Sequence, residues 1–212
     1  MKKVLLAMAL VAAIAIIIAA VFAEANEETK EPVPEVIVQV MPQGVPAYVR
    51  HDAVVKEVTD ASVSLDVGEE EPETAIISED TVILTADGDI ADLSALEAGA
   101  NVSVFVDGSA PVPLIYPAQY PASCIVIGDE VGVAGVDIDA YAESDSLGMY
   151  INGAGTLAIN VDEDSVIVTA SGSKIKIDCT DLADRKLAVF YDKMTMSIPA
   201  VTSPLKVVVL GE

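Results

Sequence analysis

Ser78-Glu79-Asp80-Thr81-Val82-Ile83-Leu84-Thr85-Ala86-Asp87-Gly88 comes back later in the chain as Asp162-Glu163-Asp164-Ser165-Val166-Ile167-Val168-Thr169-Ala170-Ser171-Gly172. In each copy an acidic, hydroxyl-bearing stretch leads into a short run rich in β-branched residues and ends on a small-residue turn. That pattern reads as loop, strand, turn. Working outward, Val104-Phe105-Val106-Asp107 returns as Val189-Phe190-Tyr191-Asp192. Pro117-Ala118 and Ile125-Val126-Ile127 return as Pro199-Ala200 and Val207-Val208-Val209. The same blocks in the same order imply an internal duplication. The distance from Asp80 to Asp164 exceeds the roughly 20–50 residues of a solenoid rung, so each copy is a small domain.

The stretches between these anchors predict further short strands. Residues 53–58 and 61–67 flank Thr59-Asp60, a hairpin turn, and Val63, Leu65 and Val67 alternate with Ser64 and Asp66. Residues 74–77, 82–85, 102–106 and 124–127 complete the first copy, and 157–161, 166–169, 174–177, 187–191 and 206–210 supply the second. Residues 92–99 are the one helix-like piece, closed by Gly99. Residues 129–148 are Gly- and Asp-rich and read as the connection between copies. Short strands with regular turns and almost no helical periodicity predict an all-β chain: two tandem duplicated small β-barrel or β-sandwich units, 47–130 and 131–212. With aromatics at 4% and no Trp, the cores must be built from Val, Ile, Leu and Ala.

The start of the chain predicts export. Lys2 and Lys3 precede an apolar run over 4–23, and Ala23-Glu24-Ala25 offers the small residues a signal peptidase uses. Residues 1–25 therefore read as a signal peptide, with a membrane anchor as the alternative, since a span needs about 20 apolar residues. Residues 26–46 hold an acidic, Pro-containing linker and one strand-like run, Glu35-Val36-Ile37-Val38-Gln39-Val40-Met41, which has no counterpart in the second copy. Val36, Ile37, Val38 and Val40 make it a candidate assembly strand, pairing with its own sheet or with the sheet edge of a neighbouring molecule.

The formal charge is −23, from 34 acidic and 11 basic residues. Phosphate recognition needs Lys and Arg, so nucleic acid is excluded as a partner, and a membrane is reached only through an uncleaved N-terminal segment. Scattered acids keep an extracellular protein soluble. Asp137, Asp139, Glu143 and Asp145 crowd one segment and form a weak calcium candidate, without the Asp-x-Asp-x-Asp-Gly loop of a dedicated site. No other cofactor is expected. Cys124 and Cys179 are the two cysteines, either bridged, as export permits, or buried as free thiols. With His51 the lone histidine and no Gly-x-Ser-x-Gly string, hydrolytic machinery has no motif and the chain reads as a non-enzyme. Thr195-Met196-Ser197-Ile198-Pro199 reads either as a binding loop or, the favoured reading, as a structural turn in which Ile198 plugs the core.

Residues 157–167, 187–192 and 194–210 resemble a secreted β-repeat domain of anaerobic Gram-positive bacteria, one that occurs in tandem beside cell-wall or copper-amine-oxidase-N-terminal-like modules. The second copy carries the resemblance; the first has Pro113-Leu114-Ile115-Tyr116-Pro117 where the second has the Thr-x-Ser-Ile-Pro string. The resemblance implies a secreted or cell-surface address and brings no catalytic residues. The expectation is an exported structural or interaction protein of the cell envelope, working through protein partners or self-association. The alternative is an extracellular calcium- or ligand-binding module.

Overall fold

The computed structural model describes residues 44–128, 135–144, 148–162, 165–176 and 182–211, and these belong to one compact unit. The repeated stretch forms β4 (Val82–Thr85) in the first copy and β11 (Val166–Thr169) in the second. The first copy also contains β1 (Tyr48–Val58), β2 (Ser62–Asp66), β3 (Glu73–Ile76), β5 (Asn101–Asp107), β6 (Gln119–Pro121) and β7 (Cys124–Gly128). The second contains β8 (Val136–Ser144), β9 (Met149–Asn152), β10 (Leu157–Ile159), β12 (Lys174–Ile175), β13 (Arg185–Phe190), β14 (Ala200–Thr202) and β15 (Lys206–Gly211). The protein is all-β.

Pairing shows the duplication more completely than sequence does. One sheet runs β4-β7-β5-β1-β2-β3-β6 and the other β12-β11-β15-β13-β8-β9-β10-β14. Strand for strand the two orders match, with β12 added at the edge of the second. Both pair β4 or β11 in parallel with the closing strand, and both pair β3 or β10 in parallel with β6 or β14. Residues 119–128 run as a single extended segment whose first half bonds β3 and whose second half bonds β4 and β5. The amide N–H of Ala122 donates to the Ile76 carbonyl, and that of Ser123 donates to Phe105. Each sheet thus curls back towards its own edge without becoming a closed barrel.

This curl explains the continuous apolar runs. A strand buried on one face alternates, whereas one buried on both faces reads as unbroken Val, Ile and Leu. In β5, Val102, Val104 and Val106 point into a core private to the first copy, together with Ala53, Val55, Val63, Leu65 and Ile125. Phe105 points the other way, into a second core with Tyr48, Leu84, Cys124 and Val126. Val136, Ile138, Val168, Ala188, Phe190 and Val208 of the second copy enter the same cluster. The second copy keeps its own inner core around Tyr141, Leu187, Val189 and Val207. The architecture is therefore three cores in a row, the middle one shared.

Two expectations need correction. Residues 129–148 are not merely a connector, because Val136–Ser144 is a central strand hydrogen-bonded to β9 and β13. Val136 and Ile138 face the shared core, while Asp137 and Asp139 face inward, Asp137 part-buried and Asp139 fully buried despite its charge. Alternating acids in such a strand look like a solvent face when read without their partners. The helix-like piece at 92–99 contracts to a single 3-10 turn, Leu93–Ala95, because Leu96 turns into the inner core and Gly99, at φ +90°, donates its N–H to Val55. The assembly strand at Val36–Val40 lies outside the described residues.

Candidate functional site

Register between the sheets makes His51 of β1 and Asp137 of β8 equivalent: His51 pairs with Val104 and Asp137 with Val189. Both face inward near the open end of their curled sheet, and each anchors a polar cluster. The chemistry of the two clusters differs.

In the second copy Asp139 is almost fully buried, yet its oxygens are occupied. Oδ1 accepts the amide N–H groups of Ala47 (2.7 Å) and Ala140 (2.8 Å), and Oδ2 accepts that of Ala154 (3.0 Å). Ala47 precedes β1 of the first copy, so this carboxylate ties the copies together. Room for it comes from Gly153, where a Cβ would stand 3.1 Å from Oδ1. Beside it, Asp137 Oδ2 accepts the Tyr141 hydroxyl at 2.6 Å and the Asn152 amide at 3.2 Å. Burial raises the Asp137 carboxyl above its ordinary value, opposed by those two hydrogen bonds and by Arg50. Burial and the neighbouring Asp137 push the Tyr141 phenol well above its usual range.

This answers where the calcium candidates lie. The structure brings Asp137 and Asp139 to one face of β8 but spends their oxygens on amides and a phenol, leaving no cradle of free carboxylates. Glu143 is exposed at the far end of the strand, and Asp145 lies outside the described residues. Among the described residues no group of three or more His, Cys, Asp or Glu is placed to hold a metal ion.

In the first copy the ring of His51 stacks on Tyr120, with centroids 4.4 Å apart. The Tyr120 hydroxyl donates to Glu73 Oε2 at 2.8 Å, and His51 Nδ1 lies 3.5 Å from the same oxygen. Burial first, and then the bond to Glu73, push the Tyr120 phenol far up, so it stays protonated. This cluster braces β1, β3 and β6 against one another. Cys124 is a free thiol, wholly buried in the shared core, and burial pushes it well above the range in which thiolates form. Cys179 lies outside the described residues.

A cleft of about 350 Å³ opens beside β4, lined by Glu79, Asp80, Thr81, Ile83, Ile90 and Leu210 among others. The hydroxyl of Thr81 is already spent on the Ala122 carbonyl at 2.7 Å. Nothing in the cleft pairs a nucleophile with a base.

The surface feature that sequence reading missed lies in the loops entering β6 and β14. In the first, Leu114 is fully exposed, Tyr116 is 73% exposed, and Val112 and Ile115 are about half exposed. In the second, Met196 is fully exposed, Ile198 is 75% exposed and Met194 is also exposed, with Leu205 exposed just beyond β14. Leu114 and Met196 occupy equivalent positions three residues ahead of the shared Pro-Ala, and Tyr116 and Ile198 occupy equivalent positions one residue ahead of it. Both peptide bonds into those prolines, Tyr116–Pro117 and Ile198–Pro199, are cis. Ile198 therefore does not plug the core as expected. The Ser197 hydroxyl does serve the turn, donating to the Pro199 carbonyl at 2.8 Å, and Thr195 Oγ1 accepts the Val201 N–H. A signal was present: residues 108–128 and 194–205 carry no charged side chain, in a chain where one residue in five is charged. Compared with known proteins, the chain matches no protein-family model and shows no significant similarity to any curated protein.

Proposed function

We propose that this chain is an exported structural or interaction protein of the cell envelope, working by contact rather than catalysis. One observation carries the reading: each copy holds up a loop in which a charge-free stretch, 108–118 or 194–199, bares apolar side chains at the same position. Isolated exposed apolar residues are ordinary, but a repeated group of them marks an interaction surface. The leader-like residues 1–25 supply the address. The polar clusters favour bracing over chemistry, since their oxygens and rings are engaged with one another.

Two measurements test the reading. Fractionation of expressing cells should find the chain in the wall or medium, with N-terminal sequencing starting after Ala25; an intact leader in the cytosol overturns the address. Removal of residues 26–42 tests the assembly strand: light scattering should show loss of oligomers while the β-type circular dichroism persists. Unchanged oligomers would remove that strand from the reading.

A further inference from the structure

We infer that the two apolar loops form docking surfaces at opposite ends of the molecule, and that a second copy of this chain docks at each, joining copies end to end. This rests on the interaction reading above and names its partner.

The placement follows from contacts across the shared core. Lys186, at the start of β13, bonds Asp107, at the end of β5, at 2.7 Å. Lys206 pairs with Phe190 at the end of β13 and bonds Asp89 at 2.6 Å. Asp89 lies just beyond β4, whose last residue, Thr85, is level through Ile127 with Val102 near the start of β5. The end of β5 thus meets the start of β13, and the start of β5 lies towards the end of β13. The two strands run in opposite senses, and a pseudo-twofold axis relates the copies. Each loop leaves the C-terminal end of its strand, residues 108–118 after β5 and residues 191–199 after β13. They emerge at opposite ends.

Charge selects the occupant. A chain of net charge −23 repels its own copies over most of its surface, within a screening length of about 10 Å at 0.1 M salt. Residues 108–128 and 194–205 carry no charge, so the apolar side chains exposed on them meet little of that repulsion and gain by leaving water. A basic partner would be met better by the acidic surface elsewhere. Two such surfaces at opposite ends permit an open linear array rather than a closed pair.

Sedimentation velocity on the full chain, over a concentration series at physiological salt, tests this. Three variants are compared: Leu114→Asp with Tyr116→Asp, Met196→Asp with Ile198→Asp, and all four together. The parent should grow beyond dimers with concentration, and the four-site variant should stay monomeric with unchanged circular dichroism, since the mutated side chains are largely exposed. Either two-site variant should stop at dimers if like ends meet, or at monomers if unlike ends meet; both results support the inference. Oligomers that survive all four changes overturn it, as does a parent that stays monomeric throughout. If removal of residues 26–42 dissolves the oligomers and the four-site variant does not, the inference fails while the envelope-assembly reading stands.

Discussion

The inner polar cluster of the first copy and that of the second occupy the same place in the same ladder, and each holds a tyrosine hydroxyl on a carboxylate, yet they are built from different residues at different positions. His51, Glu73 and Tyr120 stand in one; Asp137, Asp139, Tyr141 and Asn152 stand in the other. Ala53 and Val55 hold the positions of Asp139 and Tyr141. A function exercised by both copies would need like residues at like positions, and these clusters lack them. The exposed loops have them in kind, apolar side chains at matching positions before the proline in both. The comparison separates what braces each copy from what both copies present.

The largest effect should come from the middle of the molecule. Phe105 and Phe190 are equivalent, and both are buried in the shared core. Phe190→Ala or Phe105→Ala should each cost about 3–5 kcal/mol, the range for aromatic truncation in a core. Urea unfolding followed by circular dichroism should show one transition in both variants, moved by similar amounts. Two separated transitions, only one of them shifted, would mean that the copies fold independently and that the shared core is incidental.

Next comes the exchange of the braces. Asp139→Ala strands the N–H groups of Ala47, Ala140 and Ala154, and should cost roughly 3 kcal/mol, since each buried unmet donor costs about 1–3 kcal/mol before relaxation. The mirror change, Ala53→Asp, buries a carboxylate in an apolar core and should also destabilise strongly. Denaturant midpoints decide. An Ala53→Asp variant as stable as the parent would show that the first copy can supply a brace of the same kind.

The extent to which sequence reading reaches this molecule follows from which side chains face which neighbours. The repeat around Val82 and Val166 was legible because strands buried on two faces tolerate little but Val, Ile and Leu. Val63, Leu65 and Val67 gave the period of a one-sided strand, and β2 has it. β8 was not legible, because its inward acids are satisfied by groups outside the strand's own pattern: Asp139 by the amides of Ala47 and Ala154, Asp137 by Tyr141 and Asn152. Ile198 was misread for the opposite reason: an apolar residue beside proline suggests a core plug, and only the absence of charge around it hinted at an exposed surface. The shared core left no local mark, since a residue turned towards the other copy looks like one turned towards its own.

Acid and base behaviour should separate the clusters further. Burial holds the Asp137 carboxyl above its unfolded value, so the folded state binds its proton more tightly. The group's contribution is then fully present below the ordinary carboxylate range and is lost as pH rises through the raised folded value. Asp137→Asn removes that slope while keeping a carbonyl oxygen for Tyr141. Its stability should exceed that of the parent at pH 7 and lose the advantage by pH 4, in denaturant curves at matched pH. A parent-like slope in the variant would place the titration elsewhere.

The smallest effect is expected at the bridge that spans the shared core. Lys186, aided by Ser109, holds the Asp107 carboxyl down at about 2. A lowered folded value stabilises above the unfolded value, near 3.9, and that stability is lost as pH falls through about 2. Lys186→Met should therefore cost under about 1 kcal/mol at pH 7, because both side chains are partly exposed and screened. The change should also begin acid unfolding at a higher pH than in the parent, though not as high as 3.9, because Ser109 still donates to Asp107. The equivalent position in the other copy is Asn101, level with Val54 of β1, so no lysine stands at that register at the matching end. A parent-like acid limb in Lys186→Met would show that the bridge across the shared core carries none of this stability.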